Sequence, residues 1–112
     1  MSLAVDLRSL NLDDGLFGLR VASEDQETIS FFNQQGLLGD GCTWGAIVDA
    51  LLRATMPDKL HKLELNCEAE SLLLMSDDQA LLQEIGVLLH NTAQNEEAIL
   101  QAIADADPDM LE

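Results

Sequence analysis

Apolar and polar positions alternate at the start of the chain. Leu3, Val5 and Leu7 fit a strand, while Leu3, Leu7 and Leu10 also fit one face of a short helix, and Asp13-Asp14-Gly15 marks a turn. Leu16 to Ser23 reads as a strand, Glu24-Asp25-Gln26 as a polar turn, and Glu27 to Asn33 as a second strand rich in β-branched and aromatic residues. So short a link predicts a hairpin. Gln34 to Gly41 is a glycine-bearing loop. Thr43 stands where a helix N-cap belongs, with Trp44 at the first helical position. From there Trp44, Ile47, Val48, Leu51 and Leu52 keep the i, i+3, i+4, i+7, i+8 spacing of a buried helix face. Pro57 ends that helix near Met56, since the residue before a proline avoids the helical region.

The second half repeats the alternation more clearly. Asp58 to His61 forms a short turn or strand approach. Leu63 and Leu65 alternate with Lys62, Glu64 and Asn66 in a half-buried strand, and Ser71 to Ser76 returns as a more continuously apolar one. That contrast predicts an edge strand paired with a central strand. Asp77-Asp78 then places acids at a helix N-terminus, and Leu81, Leu82, Ile85, Leu88 and Leu89 make an apolar stripe through about His90. A last helix runs from Asn95, its cap, to Ala104, and Asp105 to Asp109 ends it as a solvated acidic tail. The predicted order is ββαββαα: an α+β fold with a mostly antiparallel sheet of about four strands and two or three helices on one face.

A chain of 112 residues supports one core, so residues 1–112 are expected to form a single domain. No apolar run reaches the ~18 residues of a membrane span. Met1 to Asp6 lacks the basic and apolar regions of a secretory signal, which points to the cytoplasm. The only two cysteines, Cys42 and Cys67, have neither CxxC spacing nor the companions of a metal site or disulfide framework, and read as reduced, mostly buried small hydrophobes.

Charge changes the picture. The chain holds 21 acids against 5 bases, net −16, and all five bases lie within the first 62 residues. The remaining 50 residues carry twelve acids and no base. Such a surface repels nucleic acid and anionic membranes and steers basic partners inward.

The chain contains no G-x-S-x-G elbow, H-E-x-x-H, P-loop or G-x-G-x-x-G. Two histidines 29 positions apart give no metal spacing, and Asp105-x-Asp107-x-Asp109 lacks the glycine and distal glutamate of a calcium loop. The sequence therefore predicts no catalytic, cofactor or metal site. Trp44 reads as a core anchor, beside a Gly39–Thr43 loop able to present backbone groups to a partner.

Gly39-Asp40-Gly41-Cys42-Thr43-Trp44 resembles the Gly-Asn-Gly-Tyr-Asp-Trp signature of immunity protein family 51, antidotes of bacterial polymorphic toxin systems. The likeness extends over about residues 31–104, through Phe31-Phe32, the Ala46–Leu52 helix, the Leu63–Met75 hairpin and Ser76 to Leu81. Gly39, Gly41 and Trp44 carry it, while Cys42 replaces an aromatic and Thr43 an acid. The resemblance implies an α+β protein without cofactor that binds and occludes a cognate toxin. If the toxin is basic, Asp40, Trp44, Glu64, Glu68, Glu70, Asp77, Asp78 and Glu84 are the candidate contact residues. The alternatives are a regulatory or assembly module that forms a homodimer through its exposed sheet face, and a small hydrolase using Cys42 or Cys67.

Overall fold

In the computed structural model, which describes residues 3–111, the chain forms a four-stranded antiparallel sheet with its long helices packed on one face. Strands β1 (Asp6–Asn11) and β2 (Phe17–Ala22) form the first hairpin. Helices α1 (Gln26–Gln34) and α2 (Gly41–Thr55) follow, and a 3-10 turn (Pro57–Lys62) leads into the hairpin of β3 (Glu64–Cys67) and β4 (Leu72–Ser76). Helices α3 (Gln79–Ala93), α4 (Glu96–Asp105) and the short α5 (Pro108–Leu111) close the chain. Strand order is β1-β2-β4-β3, so the two hairpins join through β2 and β4. The α+β class, the antiparallel sheet and the edge-versus-central contrast of the second hairpin all hold.

The run Glu27 to Asn33 is helix, not strand, and the partner of β2 in the first hairpin is the segment before it. The deciding residues are Asp25 and Thr28. The Asp25 carboxylate caps the helix, accepting from the Thr28 amide and hydroxyl at 3.2 Å each. Thr28, Phe31 and Phe32 then share one buried face at i, i+3, i+4 spacing. A strong cap and a helical stripe outweigh β-propensity, which mainly reports fit to a half-buried sheet.

Alternation sorts the sheet into two faces. Leu19 and Val21 of β2 lie beside Leu74 and Leu72 of β4, all buried under the helices. A Cβ added at Gly45 of α2 would meet Leu72 at 3.5 Å, and one at Gly86 of α3 would meet Leu19 at 3.8 Å, so both helices cover this face. Between sheet and helices sit Trp44, Phe32, Ile47, Leu52, Ile85, Leu89 and Ile99, each at most 1% exposed.

Trp44 is the centre of that core. Its ring meets Phe32 edge-on at 5.4 Å between centroids. Its indole N–H donates to the Ser23 hydroxyl at 2.8 Å, and that hydroxyl donates to the Ala4 carbonyl at 3.1 Å. Among the described residues no buried side-chain polar atom lacks a partner.

The C-terminal tail is more ordered than a solvated run. Asp105, Asp107 and Asp109 are exposed, but Ala106 is buried with Ala46 and Ala50 of α2, with Met110 packed against them. The Arg53 guanidinium binds Asp49 at 2.8 Å and the Asp105 carbonyl at 3.1 Å, tying the end of α2 to this tail. Trp44→Ala removes the largest buried side chain and is expected to cost about 3–5 kcal/mol, read from urea unfolding. A cost under about 1 kcal/mol would contradict the anchoring role.

Candidate functional site

The glycine-rich turn before α2 is built as a clamp. Asp40, not Thr43, is the N-cap: its backbone is extended and its carboxylate accepts from the Thr43 amide at 3.0 Å and the Thr43 hydroxyl at 3.2 Å. The helix therefore starts at Gly41, and Trp44 is its fourth residue rather than its first. Thr43 works from inside the first turn, its hydroxyl accepting the Gly39 amide at 3.2 Å. Gly39 itself has φ +74°, a region open to glycine at little cost.

Gly41 is fixed by contact rather than by backbone angle. A Cβ there would collide with the backbone carbonyls of Glu68 and Ser71, in the turn of the β3–β4 hairpin. The start of α2 thus presses directly on that turn. Next to it Cys42 and Cys67 are joined by a disulfide, with Cα atoms 4.9 Å apart. This overturns the expectation of two reduced, buried thiols. Cys42 is half-buried, Cys67 is exposed, and among the described residues no cysteine is free. Two residues 25 positions apart meet only because α2 docks on the hairpin, a tertiary fact that spacing does not carry. The bond leaves the proposed cysteine hydrolase without a nucleophile while it is intact. A cross-link of that span removes roughly 3 kcal/mol of chain entropy from the unfolded state in the loop-closure model.

The clamp holds one end of the molecule, and a cleft of about 450 Å³ opens there. Ser23 and Glu24 at the end of β2, Ile29 of α1, Leu38, Gly39 and Asp40 of the turn, and Ala69 and Glu70 of the hairpin line it. Glu24 and Glu70 are exposed and Asp40 is half-buried, so three carboxylates line an opening whose large apolar side chains are Ile29 and Leu38. Leu38 is 71% exposed on its rim, the most exposed large hydrophobic side chain among the described residues. Its neighbour Leu37 is buried, as expected where a tight turn sends adjacent side chains opposite ways.

The eight candidate residues do not converge. Asp40, Glu68 and Glu70 share this end. Trp44 lies beneath it with no exposed surface, so it supports the loop and does not touch what binds there. Glu64 begins β3 and pairs with Met75, and Asp77 follows β4, toward the opposite end of the sheet. The Asp78 carboxylate caps α3 through the Leu81 amide at 3.1 Å, and Glu84 is exposed on α3. Residue-by-residue reading missed Glu24, Ile29 and Leu38. The one signal available was the pair Leu37-Leu38 between two glycines, where a turn exposes one leucine.

The architecture defines a small α+β protein that presents a braced, acidic, leucine-tipped surface. The sequence matches the family model of immunity protein 51 (Imm51) over residues 10–108, and the chain belongs to that family. No curated protein and no solved structure gives a significant match. No helix among the described residues is long and apolar enough to cross a membrane.

Two substitutions separate the parts of the clamp. Asp40→Ala removes only the cap and is expected to cost about 1 kcal/mol. Gly41→Ala forces α2 off the hairpin and is expected to cost at least twice as much in the same denaturant titration. Equal effects would show that the close approach is not needed.

Proposed function

We propose that this chain is the antidote of a toxin–immunity pair, neutralising its toxin by direct binding and occlusion without catalysis, and that the clamped cleft is where the toxin docks. Membership of the Imm51 family supports the immunity role. The observation that carries the site is Leu38, a large apolar side chain 71% exposed, ringed by Glu24, Asp40 and Glu70 on a rigidly braced turn. Interfaces concentrate their energy in a few anchors set among polar groups, and anchors held in place before binding lose less entropy.

Charge selects the partner. With net −16 the protein attracts a basic toxin surface over long range, and Glu68, exposed beside the cleft, adds to the local field. Association with such a toxin weakens as salt rises, mainly through the on-rate. The protein acts as a single domain in the cytoplasm of the cell it protects, where the Cys42–Cys67 bond is open to reduction and the Asp40 cap and the Gly41 contact still hold the clamp.

The test is growth of a bacterial culture expressing the neighbouring gene with and without this protein. Toxicity is expected to be relieved by the wild type. Leu38→Asp, at an exposed position, should keep the circular dichroism spectrum and lose the protection. Glu24→Lys with Glu70→Lys should do the same and flatten the salt dependence of binding. A harmless neighbour, or full protection by both variants, would refute the assignment of this cleft.

A further inference from the structure

The sheet face away from the helices has a composition unlike the rest of the molecule. Register places Asp6 and Arg8 of β1, Arg20 of β2 and Glu64 of β3 on it, since Asp6 pairs with Ala22, Arg8 with Arg20, Arg20 with Leu73 and Glu64 with Met75. The strands give this face two bases and two acids, and Glu24 joins Asp6, Arg8 and Arg20 around a small cleft at its edge, so the face is far less acidic than a chain of net −16 would suggest. Its centre is apolar. Leu10, Leu12, Leu73 and Met75 are all half-buried, and a Cβ on Gly18 would meet Leu73 at 3.2 Å and Leu12 at 3.3 Å, so both leucines fold over that glycine.

The arginines are arranged unfavourably for an isolated monomer. Arg8 and Arg20 stand directly opposite each other, a like-charge pairing that sheets avoid. Among the described residues neither guanidinium has an acid within ion-pairing distance, and the ion pair present involves Arg53. Two of the chain's five bases are thus spent, unpaired, on the one face that carries no helix.

We propose that this face is where two copies of the chain meet. A strongly acidic molecule approaches itself with least repulsion where its acidic excess is smallest, and two of its five bases lie here. A two-fold axis along the strands, between β2 and β4, lays the β1–β2 half of each copy over the β3 edge of the other. The unpaired arginines of each copy then face the edge that carries Glu64, and the apolar strips meet in the middle. Aligned packing of two sheets about 10 Å apart has this form. A basic partner is drawn instead to the acidic surfaces and repelled by the arginine pair. The dimer face borders the Leu38 cleft at Glu24, which lines both, but Leu38 itself lies outside it, and the dimer does not depend on the toxin-binding proposal.

Sedimentation equilibrium of the full chain without toxin tests this, at concentrations up to a few hundred micromolar. The expected species has twice the 12.2 kDa chain mass. Arg8→Glu with Arg20→Glu, and separately Glu64→Arg, should each weaken association at least tenfold. Mixing the two variants in equal amounts should restore a dimer containing one copy of each. Leu10→Lys, on the edge strand, provides a second disruption should the double reversal fail to fold. A monomer at every concentration overturns the proposal. So does a dimer indifferent to these changes, or a mixture that does not recombine, and a wild-type monomer that captures an acidic protein on this face does so as well. Glu64→Arg, at the end of the sheet away from the cleft, should still protect against the toxin, so the dimer and the antidote role stand or fall separately.

Discussion

The close approach of the first turn of α2 to the β3–β4 hairpin governs this structure. Gly41 lies against the carbonyls of Glu68 and Ser71, too near for any side chain, and the other features of that end follow from the contact. It brings Cys42 within bonding reach of Cys67. It sets Trp44 under the turn, where Phe32 and Ser23 hold the ring and its N–H. It also sets the Leu38–Asp40 turn beside Glu70, making a cleft from segments distant in sequence. Glycine and tryptophan in the motif are thus two halves of one device: one admits the hairpin and the other fills the space beneath.

A second regularity supports this end. Asp25 with Thr28 and Asp40 with Thr43 are the same arrangement used twice. In each, an aspartate caps a helix and accepts from a threonine hydroxyl. In each, the buried threonine oxygen accepts an amide from outside the helix, from Ala4 in one case and Gly39 in the other. Capping, usually worth about 1 kcal/mol, here also ties a neighbouring segment to the helix start. The N-terminal strand approach and the cleft turn are fixed by these two threonines.

Much of this was legible in the sequence, and the failures share a cause. The stripes of α2, α3 and α4, the stop at Pro57, the Asn95 cap and the second hairpin were readable because period, cap and breaker agree locally. Glu27 to Asn33 misread as strand because Ile29, Phe31 and Phe32 speak for a sheet, while the Asp25–Thr28 signature three residues apart speaks for a helix. The disulfide, the burial of Trp44 beneath the cleft and the exposure of Leu38 depend on how α2 meets the hairpin. No local pattern encodes that meeting. The glycine-acid-glycine turn marked the right place in the chain, but the acidic residues proposed with it were scattered, because 21 acids offer no contrast by which to choose among them. The structure supplies the contrast by dividing a sheet face of mixed charge from an acidic tip.

Hydrogen–deuterium exchange of the protein alone and bound to its toxin is the most direct measurement. The account predicts slowed exchange in the complex across residues 36–41 and 67–71, with the open-face strand β1 unchanged. Protection confined to β1, or to the outer surface of α3, with the tip exchanging as in the free protein, would contradict it.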